Sequence, residues 1–176
     1  IRTDYYLNNL LTSVSSSGVY NNALHTDSSY YWTDLGLQDK GYTYDYFSSY
    51  TFMDDEVNVS DGQINSDGVA YKAVVVMEDE LPLDAAKKLK EAADNGLPVL
   101  FVNNVVEHPN NSDVDKVNTI AASTTGCNDG QDEELAAVIE EIKALDNVKT
   151  IDSCEEALDA LAELGVTPRA ENVESN

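Results

Sequence analysis

Residues 71–104, YKAVVVMEDELPLDAAKKLKEAADNGLPVLFVNN, decide how the chain folds. Two short apolar runs, YKAVVVM at 71–77 and PVLFVNN at 98–104, flank an amphipathic stretch, PLDAAKKLKEAADNG at 82–96, in which Ala86, Leu89 and Ala93 share one face. A parallel strand pair needs a crossover helix and is covered on both faces, so its strands read as continuous apolar runs. The stretch is therefore a βαβ unit. Pro82 suits the first helical turn, Asp84 lies near the positive end of the helix dipole, and Asn95-Gly96 ends the helix.

Downstream, QDEELAAVIEEIKALDN repeats the pattern, with Leu135, Val138, Ile139, Ile142 and Leu145 at helical spacing and acids in the first turn. VKTI at 148–151 is a short strand. Ser153 and Glu156 then form a capping box ahead of Ala157, Leu158, Leu161 and Leu164, Gly165 closes that helix, and Pro168 forbids its continuation. Between the two units, residues 105–128 are rich in Asn, Ser and Thr and read as mostly loop, with a weak helix or strand between Val114 and Ala122.

Upstream, residues 3–14 have helical spacing, Gly18 to Tyr20 form the centre of a short strand, and Trp32 to Lys40 fit a helix stopped by Gly41. YTYDYF at 42–47 alternates and predicts another strand. Two Ser-Asp-Gly triplets, at 60–62 and 66–68, predict a small hairpin before Tyr71, because Asp-Gly is a turn dipeptide. Strands near residues 18, 44, 74, 100 and 150 describe an α/β domain: an open, mostly parallel sheet of about five strands with helices on both faces, a flavodoxin-like or class I amidotransferase-like three-layer sandwich. The domain spans 1–168, with residues 1–40 its least regular part, and RAENVESN at 169–176 reads as a linker or disordered tail.

With 33 acidic against 10 basic residues and a formal net charge of -23, nucleic acid and anionic membrane surfaces are repelled. No apolar run approaches the roughly 18 residues that span a bilayer. The chain starts at Ile1 without Met and reads as a piece of a longer protein.

In open α/β sheets ligands sit beyond the carboxyl ends of the strands. That places a candidate crevice at Glu78, Asp79 and Glu80 after one strand and at Asn103 and Asn104 after the next. Paired carboxylates there could hold a cation or polyol, or exchange protons, whereas a solvated loop in an acid-rich chain has the same composition. STTGCN at 123–128 superficially matches a loop cradling a flavin phosphate, but Asp129, Asp132, Glu133 and Glu134 crowd the position of the phosphate. Cys154 opens a helix, yet His25 and His108 lie in polar loops with no spacing that links them to it; inert thiols, or one Cys127–Cys154 disulfide, are the readings that compete with catalysis. NSDVDK at 111–116 starts like a calcium loop but has Lys116 and Ala122 where Gly and Glu are required. These patterns imply no metal site, no cofactor and no catalytic residue. Nine of the ten tyrosines lie at or before Tyr50, alongside Trp32, and suit either packing or stacking on sugar rings.

The succession GYTYDYFS, a short Asp-Gly segment, YKAVVVMEDELPLDAAKKLKEAADNGLPVLFVNN, and DEELAAVIEEIKALDNVKTIDSCEEALDALAELGVTPRA resembles, over roughly Gly41 to Ala170, a domain of large secreted α-L-rhamnosidases of glycoside hydrolase family 106. The resemblance implies an amidotransferase-like α/β domain that accompanies a catalytic barrel and β-sandwich modules in one long secreted or cell-surface chain. It carries no catalytic residue onto this sequence, because the family's carboxylates belong to the barrel. SSSGVYNNAL departs from the family's Val-rich first strand, which leaves the order of the first strands open. In a secreted protein, Cys127 and Cys154 would be permitted to pair. The expectation is a non-catalytic accessory domain whose aromatic N-terminal part packs on neighbours and whose partners are other domains of the same polypeptide, with carbohydrate a further candidate. The alternatives are an independent flavodoxin-like small-molecule or cofactor-binding protein and a carbohydrate-binding module.

Overall fold

Val99–Val102, at the middle of the fold, is buried at all four positions. In a computed structural model, residues 37, 40–45, 47–65, 68–106, 116–128 and 130–170 are described. In chain order the elements are α1 (Ser49–Met53), β1 (Val59–Ser60), β2 (Gln63–Ile64), β3 (Val74–Val76), α2 (Leu83–Asp94), β4 (Val99–Val102), β5 (Val105–Val106), β6 (Lys116–Val117), α3 (Asp132–Lys143), β7 (Val148–Ile151), a 3-10 turn (Cys154–Glu156) and α4 (Ala157–Glu163). The protein is a mixed α/β fold.

The main sheet is parallel and three-stranded, in the order β3-β4-β7. Val74 pairs with Val99, and Val99 in turn with Val148. Because side chains alternate across a strand, Val74, Val76, Val99, Phe101 and Val148 join one core cluster with α2 and α3, while Val75, Leu100, Val102 and Ile151 join a second with α4. The sheet is thus the middle of three layers. Asn147 fastens the start of β7 to the end of α2, donating from Nδ2 to the carbonyls of Ala93 at 2.9 Å and Leu97 at 2.8 Å.

The βαβ reading of residues 71–104 holds. Pro82 is the N-cap of α2, and α2 buries Leu83, Ala85, Ala86, Leu89, Ala92 and Ala93. The α3 stripe also forms as expected, with Leu135, Ile139 and Ile142 buried. Ser153 caps the last helical segment, but its Oγ accepts from the N–H of Glu155 and the first turn is 3-10 rather than α.

The predicted hairpin is β1-β2, with Asp61 at φ 54° and Gly62 at φ 70° as its two central residues. Two positive φ values in succession twist the strands correctly, and Gly accepts one at no steric cost. After the second triplet the chain returns antiparallel, and Ile64 and Tyr71 exchange backbone hydrogen bonds of 2.9 and 3.0 Å.

Some expectations are corrected and others fall outside the described residues. The parallel sheet has three strands among the described residues, not five, and the strand near residue 18 and the helix over 3–14 lie outside them. Residues 42–45 form no strand. Tyr42 and Tyr44 both pack on the second cluster, and burial of alternate side chains produces the same sequence pattern as a strand without a ladder. Finally, α1 was not foreseen: Ser48 caps it by accepting from the N–H of Thr51 at 3.1 Å, and it buries Phe52 completely.

The C-terminal segment is held where the sequence suggests a tail. The N–H groups of Arg169 and Ala170 donate to the Gly41 carbonyl at 3.1 and 3.3 Å, and Tyr42 Oη donates to the Val166 carbonyl at 2.9 Å. Gly41 has φ 83°, and a Cβ there would collide with the Ala170 carbonyl, so only glycine fits. Residues 171–176 lie outside the described residues.

Phe101 is fully buried on the central strand. Phe101→Ala should cost about 3–5 kcal/mol of unfolding free energy, and urea denaturation showing a loss below about 1 kcal/mol would contradict this account of the core.

Candidate functional site

The carboxyl ends of β3 and β4 bring together the residues expected to line a crevice. Glu78 and Asn103 are buried, at 4% and 6% exposure, whereas Asp79 faces solvent. The space between them is occupied by the chain itself.

Residues 119–126 cross the strand ends. Ile120, fully buried, donates its N–H to the Glu78 carbonyl at 2.7 Å. Asn103 Oδ1 accepts from the N–H of Thr119 at 3.1 Å, and Thr119 Oγ1 donates to the Val102 carbonyl at 2.7 Å while accepting from the N–H of Ala121 at 3.1 Å. Farther along, Leu81 N–H donates to the Thr125 carbonyl at 3.1 Å and a parallel bridge joins Leu81 to Gly126. Lys143 of α3 donates to the Ala121 carbonyl at 2.8 Å. Asn104, at φ 49°, donates from Nδ2 to the Asp152 carbonyl at 2.8 Å. The amide side chains singled out as ligand contacts are thus bonded to backbone, and Asn103 satisfies an N–H group that burial would otherwise leave unpaired.

The loop at 123–128 cannot cradle a phosphate. The Gly126 N–H, which an anion would require, donates instead to Asp132 Oδ1 at 2.9 Å. An internal carboxylate fills the anion position at the start of α3. Asp132 also lies near Glu80, whose carboxyl is held above the usual range by burial first and then by Asp79 and Asp132. Folding therefore raises the Glu80 pKa, and the contribution of this group to stability is present at low pH and is lost as pH rises through its folded pKa.

Cys127 stands beside this acidic group. The residue as a whole is exposed, but burial of its sulfur and the carboxylates of Glu80, Glu78 and Asp79 push the thiol from the ordinary 9.0 up to about 11. A nucleophile needs the thiolate, and these surroundings oppose it. Cys154 is part-buried against the second core cluster, and no disulfide joins it to Cys127. His25, His108, Trp32 and most of the calcium-like loop lie outside the described residues. Among the described residues no group of three His, Cys, Asp or Glu side chains could hold a metal ion, and no helix is long and apolar enough to cross a membrane.

The role of Thr119 was missed from sequence. Its only signal was a position between two apolar stretches in a polar segment, which does not separate it from Thr124 or Thr125. Comparison with family models, curated proteins and solved structures finds no match to this chain.

Two measurements check this geometry. Thr119→Val keeps the side-chain shape but leaves the Val102 carbonyl and Ala121 N–H without their partner, and should lower stability by about 1–3 kcal/mol; no change would show the network to be incidental. In a Cys154→Ala background, the pH dependence of iodoacetamide alkylation should have its midpoint near 11, and Glu80→Gln should move it down. Since the folded thiol pKa is the raised one, stability from this group is complete below the ordinary 9.0 and declines between 9.0 and about 11. A midpoint at or below the ordinary value would sink the account.

Proposed function

We propose that this chain is a non-catalytic accessory domain of a larger carbohydrate-active enzyme of the α-L-rhamnosidase type, and that its partners are neighbouring domains of the same secreted or cell-surface polypeptide. The supporting observation is the filling of the crevice. A doubly covered parallel sheet normally keeps its ligand site at the strand ends; here Ile120 and Ala121 are buried at that place and Asn103 is committed to Thr119. The acids that remain, Asp79, Glu80 and Asp132, lie together without a cationic partner bonded to them among the described residues, and burial, then Asp79 and Asp132, raise the Glu80 carboxyl. A sheet so arranged is a scaffold. The resemblance over Gly41 to Ala170 supplies the enzyme class, and the negative charge suits a module that stays soluble within a long exported chain.

The flavodoxin-like alternative loses its main support at Gly126, whose amide is bonded to Asp132. Purified chain incubated with an aryl α-L-rhamnoside should release no phenol above buffer. Turnover that co-purifies with the chain and disappears in Glu78→Gln would overturn the proposal.

A further inference from the structure

A cleft of about 330 Å³ lies away from the filled crevice, alongside β3. Residues 42–45 with Phe47, and residues 69–75 with Met77, provide its two long walls, and Val166, Thr167 and Arg169 close one side. Tyr42, Tyr44, Phe47 and Tyr71 contribute aromatic rings, and Asp45, Lys72 and Arg169 contribute charged groups of both signs. Lys72 and Arg169 are two of only ten basic residues in a chain of net charge -23.

The walls are held before any ligand arrives. Tyr71 Oη donates to Asp45 Oδ2 at 2.6 Å, joining one wall to the other. Arg169 Nη2 donates to the Val69 carbonyl at 2.8 Å, and Tyr42 Oη is bonded to the Val166 carbonyl. These bonds use one oxygen of the Asp45 carboxylate and one of the five N–H donors of Arg169, leaving hydrogen-bonding capacity on both side chains. Val69, at the rim, is 49% exposed, an apolar side chain left uncovered beside the aromatic walls.

We propose that this cleft binds the pyranose ring of a glycan. Its volume is at the low end for small-molecule sites, about 300–1,000 Å³, which suits a single ring. Aromatic faces with interspersed polar groups match a ligand that carries C–H faces and hydroxyls together. Hydroxyls both donate and accept, so they can use Asp45 as acceptor and Lys72 and Arg169 as donors; charge-assisted bonds of this kind are the stronger class. An anion is the poorer candidate, since it would approach a chain of net charge -23 and meet the Asp45 carboxylate in the cleft. The choice of a sugar over another neutral small molecule rests on the accessory-domain reading, whereas the position of the site rests on the geometry alone.

The test is a titration of the full chain, followed by amide chemical shifts, with methyl α-rhamnopyranoside and methyl α-galactopyranoside up to tens of millimolar, and with flavin mononucleotide as the non-sugar probe. The expected result is saturable shifts confined to residues 42–45 and 69–73 with at least one sugar. Lys72→Ala changes an exposed side chain and should weaken binding about tenfold with unaltered thermal unfolding, and Asp45→Asn, which keeps an oxygen to accept from the Tyr71 hydroxyl, should weaken it similarly by removing the charged acceptor. Should one of them unfold the chain, the other carries the comparison. No saturable shift with either sugar, or shifts that survive both substitutions undiminished, would overturn the cleft as a sugar site. Saturation by flavin mononucleotide alone would overturn the sugar as its ligand. None of these results depends on rhamnoside turnover, so the site and the accessory role fail separately.

Discussion

A strand buried on both faces sets the requirements for everything around it. Every side chain of β4 is out of contact with water, and its backbone is laddered to β3 on one side and β7 on the other. Two apolar faces then have to be covered, one by α2 and α3 and the other by α4 with Leu37, Tyr42 and Tyr44. The helical packing is a consequence of burying one apolar segment rather than of helix propensity, which contributes tenths of a kcal/mol per residue. Ion pairs between the helices matter less. Lys87 reaches Glu134 at 2.7 Å, but both side chains are about half exposed, and solvent screens pairs of that kind so that they contribute little.

The same burial creates a demand at the strand ends. There the parallel ladder stops and its last carbonyls and amides need partners inside the protein. In many α/β proteins a ligand and loops share that duty. Here residues 119–126 take it over, with Thr119 bonded to Val102, Asn103 and Ala121 at once and Ile120 to Glu78. The architecture retains the place for a ligand while its polar groups are directed to the chain itself.

What was legible in the sequence divides along the same line. The β3-α2-β4 unit, the α3 stripe and the β1-β2 turn follow from periodicity and from Asp61-Gly62, because those patterns record burial and backbone geometry directly. The fate of Asn103 was hidden: an amide after a strand looks the same whether it awaits a ligand or accepts from a backbone N–H sixteen residues away. Thr119, between an exposed Asn118 and a buried Ile120, has no period to betray it. Likewise α1 is five residues long and buries one large side chain, Phe52, too little to register as helical spacing. The Tyr42–Tyr44 alternation was real, but it recorded packing on the second cluster instead of a ladder.

The cleft beside β3 depends on contacts that no local pattern could reveal. Tyr42 meets Val166 across 124 positions of sequence, Arg169 meets Val69 across 100, and Gly41 admits the Ala170 carbonyl only because it lacks a side chain. Bonds of that span close large loops, whose entropic cost grows only slowly with length, so a few backbone hydrogen bonds with the packing of Leu161 and Val166 can hold them. Arg169, where the sequence reads as the beginning of a tail, is therefore part of the wall. The shape of the aromatic cleft is set where the two segments farthest apart in the described chain come together.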